Sequence, residues 1–427
     1  MEEIKNNALY IGGVRAQDLA DQYGTPLYVY DQGVLENKLE QFIRSFRSDR
    51  FKTTIVYASK AFLCTAMARL ADRYGIDLDV VSGEELYVAR QAGFPMERIV
   101  FHGNNKTLDE LKAALEYGVG TIIVDNAQEA RRLASLPVSK PTTVLLRVNP
   151  GVEAHTHEYI VTAHVDSKFG VLKDETDAIA AIIDCVEANP NLRFQGFHAH
   201  IGSQIFDRNA FKAEIETMGR FLAGMKQKTG RVFPILDLGG GFAATYTSED
   251  APIPVKEVGP FILEQCAVID DEYDLGLERI LIEPGRSIVA EAGYTLYRAG
   301  YTKTTPHKRY VFVDGGMSDN IRPALYQAKY RAEAAEKMNE EKTETYCIAG
   351  KCCESGDIVI ENAALPPIET DDILVVYTTG AYGYSMASNY NLLRIPAVVF
   401  VKDGRSSLVV RRQTLKDLVA RDAGDAL

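Results

Sequence analysis

Short apolar segments rich in β-branched residues alternate with segments of helical periodicity along the first two thirds of the chain. Eight of the apolar segments end in polar or glycine residues: TTIVYAS from Thr53, DLDVVS from Asp77, RIVFHG from Arg98, TIIVD from Thr121, TVLLRVN from Thr143, FQGFHAH from Phe194, ILDLGGG from Ile235 and RILIEPG from Arg279. The stretches between them, such as EELYVARQAG and LDELKAALEYG, have helical spacing and end in glycine, a common helix C-cap. Strands that alternate with helices predict a parallel sheet.

The ends of these eight segments distinguish between two parallel architectures. Eight strand–helix units in about 250 residues fit a (β/α)8 barrel, and an open doubly wound sheet is the alternative. A barrel is favoured because it gathers the carboxyl ends of all its strands at one face, where active sites form. Residues able to do chemistry stand at nearly every end: Lys60, Ser82, His102, Asp125, Asn149, His200, Gly239 to Gly241, and Glu283 with Arg286.

The pattern changes after about residue 290. Segments such as KRYVFVDGG, GDIVIENAAL and DILVVYTTG alternate without long helices between them, which is typical of an antiparallel β domain. We therefore predict an α/β plus all-β protein. A TIM-type (β/α)8 barrel would span residues 26–288, and residues 1–25 and 289–427 would form a C-terminal antiparallel β-sandwich or β-barrel domain. LYIGG near the N-terminus is expected to join that domain as a strand, and NIRPALYQAKYRAEAAEKMNEEK is expected to start as a helix.

The composition of the chain argues against several functional classes. The 427 residues are 46% hydrophobic and 25% charged, as in ordinary globular proteins. With 47 basic and 59 acidic residues, the net charge of −12 argues against nucleic-acid binding. The sequence has no apolar run of membrane-spanning length and no basic-then-apolar leader, so we expect neither a membrane partner nor a signal peptide. Six cysteines without a CxxC pair suggest a cytoplasmic protein with reduced thiols.

Three motifs at the predicted barrel mouth are chemically ambiguous when taken singly. Lys60 in YASKAF is either a solvated lysine or a Schiff-base amine. The glycines of LDLGGGF form either a tight turn or a phosphate loop, and their place after the seventh strand favours phosphate. Glu283 and Arg286 in IEPGRS form either a structural ion pair or a site in which they bind a heterocycle nitrogen and an anion.

Two further motifs also leave alternatives open. His198 and His200 in FHAHIGSQ alternate along a strand and so share a face, which suits a metal pair, ordinary polar positions or a ring-stacking histidine. Neither an HExxH motif nor a cysteine cluster accompanies them, so we predict no metal. In CCESGD, Cys352 and Cys353 are either packing residues or a proton donor beside the carboxylate of Glu354.

Taken together, the motifs resemble one family along nearly the whole chain. They are, in order, YASKAF, DVVSGEELYVA, FHGNNK, LLRVNPGVEAHTHEYIVT, SKFG, GFHAHIGSQ, LDLGGGF, IEPGRS, DGGMSDNIRPALY, CCESGD and TGAYGYSMASNYN. This set is similar to the diaminopimelate decarboxylases, within the alanine-racemase-like (fold type III) class of pyridoxal-phosphate enzymes. The resemblance implies decarboxylation of meso-2,6-diaminopimelate to L-lysine and CO2, the last step of lysine biosynthesis, by a homodimer.

The resemblance also implies a role for each cofactor-binding residue. Lys60 would form the Schiff base with pyridoxal 5'-phosphate, His200 would stack on its ring, and Glu283 would pair with the pyridine nitrogen. The phosphate would be held by the remaining residues of this set: Ser203, Gly239, Gly240, Gly241, Gly285, Arg286 and Tyr382.

The substrate-binding residues implied by the resemblance lie mostly in the β domain. Arg286, Arg322 and Tyr326 would recognise the distal carboxylate, with Tyr382 also in contact with the substrate. Glu354 would bind the distal amino group, and Cys353 would protonate the carbanion left by CO2. Both residues of the CCESGD loop would act in the active site of the partner subunit.

Two other functions compete with this one. A related decarboxylase of ornithine, arginine or a carboxylated polyamine would have the same fold, but a substrate with only a distal amine needs a carboxylate where this chain has Arg322 and Tyr326. A non-catalytic pyridoxal-phosphate carrier or regulatory paralogue would have no use for the proton donor Cys353.

Overall fold

The computed structural model describes residues 2–152 and 166–424. It divides into two compact units. The first, the barrel unit, is Leu39–Ala243 with Ala251–Gly285, and the second, the β-sheet unit, is Met1–Lys38, Ala244–Asp250 and Arg286–Leu427. Part of the motif LLRVNPGVEAHTHEYIVT falls in residues 153–165, outside the described residues. The domain boundaries at residues 26 and 288 stay a prediction.

The strands of the described residues fall into three groups along the chain. Those before the barrel are β1 (Glu3–Lys5), β2 (Ala8–Ile11), β3 (Val14–Arg15) and β4 (Leu27–Asp31). Those of the barrel unit are β5 (Lys52–Ala58), β6 (Asp77–Val80), β7 (Ile99–Phe101), β8 (Thr121–Val124), β9 (Thr142–Asn149), β10 (Val171–Leu172), β11 (Leu192–His198), β12 (Ile235–Asp237) and β13 (Arg279–Ile282). Those after the barrel are β14 (Gly293–Thr304), β15 (Arg309–Val313), β16 (Ala332–Ala334), β17 (Glu344–Ala349), β18 (Ile358–Leu365), β19 (Ile373–Tyr377), β20 (Ala397–Lys402) and β21 (Arg405–Val410).

Most of the helices follow barrel strands. In chain order they are α1 (Ala16–Tyr23), α2 (Gln32–Ser45), α3 (Thr65–Arg73), α4 (Gly83–Ala92), α5 (Leu108–Tyr117), α6 (Ala127–Ala134), α7 (Thr176–Glu187), α8 (Arg208–Thr229), α9 (Val255–Tyr273), α10 (Arg286–Val289), α11 (Arg322–Tyr326) and α12 (Leu415–Val419). No helix within the described residues is both long enough and apolar enough to cross a bilayer.

The eight predicted strands close into a parallel barrel. They are hydrogen-bonded in the order β5-β6-β7-β8-β9-β11-β12-β13, and β13 returns to β5 with Ile282 opposite Ile55. One apolar cluster takes a side chain from each of six strands, so it fills the interior: Val56, Val100, Ile123, Leu145, Ile235 and Leu281. Closure confirms the barrel and rules out the open sheet, and all eight carboxyl ends lie at one face.

Local signals in the sequence set the helix ends. Ser82 caps α4 by accepting the N–H of Glu85, and Thr107 with Glu110 forms a capping box on α5. Both helices end at left-handed glycines, Gly93 (φ +76°) and Gly118 (φ +80°), as their sequence predicts. These caps fix where each loop at the barrel mouth begins.

A buried ion pair ties together two loops at the barrel mouth. The Lys106 ammonium donates to the carbonyls of Gly103 and Ile123, at 2.8 and 2.7 Å, and to the Glu129 carboxylate at 2.7 Å. The other oxygen of that carboxylate accepts the Asp125 N–H at 3.0 Å. Every donor of the ammonium is therefore satisfied, and the segments after β7 and β8 are fixed to each other.

The β-sheet unit is rich in antiparallel pairs, as predicted. Its main sheet has the order β18-β17-β15-β14-β4-β20-β21, with β19 on β14 and β16 on β19. Two of its pairs are parallel, β15 with β17 and β4 with β20. The sequence did not predict them, because alternation shows that a strand is half-buried but not which strand lies beside it.

The segment LYIGG joins this unit through its strand β2. The N–H of Leu9 donates to the carbonyl of Ala335 at 2.7 Å, and Leu9 and Ile11 share an apolar core with Val29 and Leu296. The segment NIRPALY begins as the short helix α11, as expected, and the chain then turns into β16.

Glu214 on α8 is a buried carboxyl group whose two oxygens accept no hydrogen bond from any residue that the structure describes. The side chain is fully inaccessible to solvent, and this burial raises its pKa well above the usual 4.5. The folded protein therefore keeps Glu214 protonated at pH values where the unfolded chain has lost the proton. Folding stability is unaffected below about pH 4.5 and falls as the pH rises above it.

We predict that Glu214→Gln abolishes this loss of stability. Above pH 4.5 the difference in free energy of unfolding, variant minus wild type, should increase by up to about 1.4 kcal/mol per pH unit. Urea unfolding at pH 5, 6.5 and 8 measures the difference, and Glu216→Gln, two residues away on the same helix but not buried, is the control. An equal pH dependence for wild type and Glu214→Gln would show that Glu214 is ionised in the folded protein.

Candidate active site

Lys60 lies directly after β5, in a 3-10 turn that spans Ser59–Ala61. Its side chain is exposed, whereas its neighbour Ser59 is fully buried. Ser59 donates to a carboxylate oxygen of Glu85 at 3.0 Å, and the same oxygen accepts the N–H of Val81 at 2.8 Å. The turn that carries the lysine is thus held to the neighbouring strand, β6, while the amine stays accessible at the barrel mouth.

The glycine loop after β12 needs glycine for steric reasons. A Cβ on Gly239 would lie 2.7 Å from the carbonyl oxygen of Ala199, and a Cβ on Gly240 would lie 2.4 Å from that of Glu283. Gly239 and Gly241 also have left-handed backbones, with φ of +61° and +106°. Glycine at these positions therefore lets the loop pack directly against the backbone that follows β11 and β13.

His200 is fixed by this loop. The N–H of Gly240 donates to His200 Nδ1 at 3.1 Å, so Nδ1 is unprotonated. Burial lowers the pKa of His200 well below its usual value, and the nearby charge of Lys60 lowers it further. A neutral imidazole in a fixed orientation suits stacking on a heterocycle. Ser203 follows in the loop after β11 and is half-buried.

Glu283 stands at the centre of a buried polar cluster, which we call the Glu283 cluster and which comprises Asp79, His102, His198, Asp237 and Glu283. Its carboxylate lies 2.6 Å from His102 Nε2 and 3.5 Å from His198 Nε2. His198 is opposite Asp237 in the pairing of β11 with β12. Adjacent parallel strands thus bring these side chains together.

The charges of this cluster follow from burial. Burial lowers the pKa of His102 to about 3 and also lowers that of His198, although Glu283 opposes both shifts. For Glu283, burial acts to raise the pKa, but the two imidazoles outweigh it and hold the pKa well below 4.5. Burial, reinforced by the charge of Glu283, raises the pKa of Asp79 and Asp237 well above 3.8. The cluster therefore concentrates its negative charge on Glu283 at neutral pH.

Four of these residues also have a geometry that could hold a metal ion. Ligand atoms of His102, His198, Asp237 and Glu283 lie within 4.8 Å of one another. The sequence analysis considered only His198 with His200, and His200 is not in this set. The prediction that the protein binds no metal stays a prediction.

In the β-sheet unit, tyrosines surround two buried arginines. We call this group the arginine–tyrosine cluster; it comprises Tyr246, Arg286, Arg322, Tyr326, Tyr330 and Tyr382. Arg286 donates to the Tyr246 hydroxyl at 2.8 Å, and Arg322 donates to the Tyr330 hydroxyl at 2.6 Å. The guanidinium carbon of Arg286 lies 4.9 Å from the centre of the Tyr382 ring. Arg286, Arg322 and Tyr382 therefore lie close together, and their binding roles stay a prediction.

No carboxylate among the described residues forms an ion pair with Arg322, which is 93% buried. Burial opposes its charge, but the surrounding phenols more than compensate and raise its pKa. Burying a guanidinium without an ionic partner costs free energy, and binding of an anion offsets part of that cost. The charge of this cluster is thus complementary to a carboxylate or a phosphate.

The CCESGD loop is anchored by a buried carboxylate, Asp357. It accepts the N–H of Cys352 at 2.7 Å and the N–H of Met317 at 2.6 Å. The N–H of Cys353 donates to the side chain of Asn391 at 2.6 Å. Cys353 and Glu354 are exposed, whereas Cys352 is buried and burial raises its pKa to about 11. Of the two adjacent thiols, only Cys353 is accessible.

The sequence analysis missed several residues of these clusters. Asp79, Asp237 and Tyr246 were not singled out, and His102 and His198 received no role. Asp79, His102 and Asp237 all stand at or next to the carboxyl end of a barrel strand, which was an available signal. Tyr246 lies in a loop, and no pattern in the sequence marks it.

The barrel residues fit pyridoxal phosphate. The amine of Lys60 suits its aldehyde, and the ionised Glu283 suits a protonated pyridine nitrogen.

Comparisons with known proteins agree with this site. Residues 33–290 match the family model "Pyridoxal-dependent decarboxylase, pyridoxal binding domain". The chain is 48% identical over 417 residues to the diaminopimelate decarboxylase of Bacillus subtilis (strain 168), which covers 97% of this chain and 95% of that protein.

Solved structures give the same relationship. A crystal structure of diaminopimelate decarboxylase from M. jannaschii in complex with L-lysine is 32% identical, covers 100% of this chain and 98% of its own, and superposes with a TM-score of 0.92. A lysine/ornithine decarboxylase from Vibrio vulnificus, complexed with putrescine, is 21% identical with a TM-score of 0.75, over 91% of this chain and 97% of its own, and shows the shared fold alone. The chain belongs to the diaminopimelate decarboxylases, a family of pyridoxal-dependent decarboxylases.

Proposed function

We propose that this chain decarboxylates meso-2,6-diaminopimelate to L-lysine and CO2, the last step of lysine biosynthesis, with pyridoxal phosphate as its cofactor. The assignment of the substrate rests on the buried guanidinium of Arg322, which has no carboxylate partner among the described residues. Diaminopimelate has a second carboxylate, beside its distal amino group, which does not react and is retained in L-lysine, so an enzyme for it needs a cation at that position.

On the cofactor side, Lys60 bonds covalently to pyridoxal phosphate, and His200 packs against its ring. The glycine loop, Ser203, Gly285, Arg286 and Tyr382 bind the phosphate. When bound, the cofactor supplies an electron sink for the carbanion that remains after CO2 leaves. Glu283 makes that sink effective, because a buried, ionised carboxylate keeps the pyridine nitrogen protonated. The two flanking imidazoles support this state of Glu283.

On the substrate side, Arg286, Arg322 and Tyr326 bind the distal carboxylate, with Tyr382 also in contact. The arrangement favours bidentate contacts, because guanidinium donors match the two oxygens of a carboxylate. Glu354 binds the distal ammonium group, and its exposed position leaves its carboxylate open to a partner.

Cys353 delivers the proton that replaces CO2. Its exposure and the hydrogen bond from its own N–H to Asn391 support this role over that of the buried Cys352. A thiol that is accessible and held on a fixed backbone can protonate one face of a carbanion selectively.

Cys353 and Glu354 act in the site of a second copy of the chain, and the functional unit is a homodimer. Two apolar side chains flank Asn391, and both are exposed: Tyr390 at 42% and Leu392 at 70%. An exposed apolar patch beside an exposed pair of reactive groups is what a shared interface requires. The reaction takes place in the cytoplasm, which fits the absence of a disulfide among the six cysteines.

The competing functions fit less well. Ornithine and arginine have no distal carboxylate, so an enzyme that decarboxylates them does not need a buried cation at that position. A carrier of pyridoxal phosphate needs neither an accessible thiol nor a carboxylate beside it.

We predict that borohydride reduction of the purified protein fixes the cofactor onto Lys60. Lys60 is exposed at the barrel mouth, whereas Lys106 at the same face is buried and its three donors are satisfied. Peptide mass spectrometry locates the modified lysine, and Lys60→Ala should lose both the yellow colour and turnover. Reduced cofactor on another lysine would contradict the assignment.

We predict that Arg322→Ala lowers kcat/KM for diaminopimelate by roughly 30- to 1000-fold, mostly through KM. Loss of a charge-assisted contact that leaves the substrate carboxylate unpaired costs about 2–4 kcal/mol. Steady-state CO2 release measures it. Arg331→Ala, which removes a half-exposed arginine of the same unit, should keep wild-type kinetics. An unchanged kcat/KM in Arg322→Ala would refute the distal-carboxylate role.

We predict that inactive Lys60→Ala and Cys353→Ala subunits restore activity when they are exchanged. In a heterodimer one site carries both defects and the other carries neither. Random pairing makes about half of the dimers heterodimers, so activity should approach about a quarter of wild type.

Subunit exchange is verified by native mass spectrometry of differently tagged chains, and Cys352→Ala should remain active. Verified exchange without recovered activity would place Cys353 in its own subunit's site or show that it is not the acid.

A further inference from the structure

Tyr246 lies between two buried guanidinium groups. Its hydroxyl accepts a hydrogen bond from Arg286 at 2.8 Å and one from Arg322. The guanidinium carbons of Arg322 and Arg286 lie 5.1 and 5.8 Å from the centre of its ring. All three side chains are more than 90% buried.

The position of this tyrosine is fixed by its own surroundings. Its N–H donates to the side chain of Asp250 at 2.9 Å, and its ring meets that of Tyr330 edge to face at 5.5 Å. The phenol oxygen therefore cannot move away from the two arginines without breaking these contacts. The arginines in turn share one acceptor, although their like charges repel each other.

We propose that Tyr246 is a positioning residue that holds the guanidinium groups of Arg286 and Arg322 side by side until the distal carboxylate of the substrate takes over as their shared acceptor. This inference rests on the function proposed above. Loss of the phenol oxygen would remove one contact that opposes the repulsion between these two buried cations, and substrate binding would then have to offset more of that repulsion.

The ionisation of Tyr246 should report this exchange. Burial acts to raise its pKa, but Arg286 and Arg322 outweigh burial and lower it below 10. The other groups that face Tyr246 are the phenol of Tyr330 and, at its backbone, Asp250. A carboxylate bound to the arginines cancels their effect and adds a negative charge, so the pKa of Tyr246 should rise on binding.

The first experiment is Tyr246→Phe in the holoenzyme, which keeps the ring and removes the hydroxyl. KM for diaminopimelate should rise about tenfold with kcat within about twofold, because one charge-assisted hydrogen bond is lost away from the reacting atoms. The dissociation constant of pimelate, the dicarboxylate with the same carbon chain, should rise equally. Tyr23→Phe, which loses a hydroxyl contact to Ser406 in the same unit, should change neither. Unchanged KM and pimelate affinity in Tyr246→Phe would overturn the proposal.

The second experiment needs no loss of the hydroxyl. 3-Fluorotyrosine placed at position 246 alone gives a single fluorine NMR signal, whose pH titration reports ionisation of the phenol. Its midpoint should lie below that of free 3-fluorotyrosine and should rise when pimelate saturates the enzyme. A purely structural role for the tyrosine predicts that pimelate leaves the titration midpoint unchanged. That result would overturn the proposal.

Failure of the proposed function is distinguishable from failure of this inference. If the wild type releases no CO2 from diaminopimelate, the substrate assignment is wrong, whereas the fluorine titration with pimelate still tests Tyr246. If the wild type does form lysine and the titration is insensitive to pimelate, only the role of Tyr246 is wrong.

Discussion

A single ionised carboxylate, Glu283, buried at the mouth of the barrel, is the group on which the proposed cofactor chemistry depends. Burial favours the protonated form of this group, as it does for the neighbouring Asp79 and Asp237. The imidazoles of His102 and His198 reverse that outcome for Glu283. The barrel thus concentrates negative charge on the residue that we propose pairs with the pyridine nitrogen of the cofactor.

The β-sheet unit presents the opposite electrostatic case. It buries two cations, and each donates a hydrogen bond to a phenol. A carboxylate partner would neutralise Arg322, which has none among the described residues. Phenol oxygens are weaker acceptors, so they satisfy donors of the guanidinium groups yet remain replaceable by a carboxylate. A tyrosine partner, unlike aspartate or glutamate, therefore leaves the charge of Arg322 available for the proposed substrate carboxylate.

Backbone anchoring links these charged groups to the fold. Asp357 and Asn391 hold the backbone on which Cys353 stands, and Lys106 holds the loops after β7 and β8. None of these anchors needs to contact a substrate. Each fixes a loop that contains residues with proposed chemical roles, and a fixed backbone reduces the free-energy cost of ordering such a site on binding.

The amino-acid sequence alone predicts the eight barrel strands, the helix ends at Gly93 and Gly118, and the ordered motifs that carry the family resemblance. These features are local, because alternation, capping and glycine conformations depend on consecutive residues. Only the folded chain shows which strands pair in the β-sheet unit, that the Glu283 cluster includes Asp79 and Asp237, and that Tyr246 lies between Arg286 and Arg322. Such contacts join residues far apart in the chain, and their charges depend on burial. Local spacing in the sequence gives neither the spatial distance between such residues nor the dielectric environment around them. Both are set only when the chain folds.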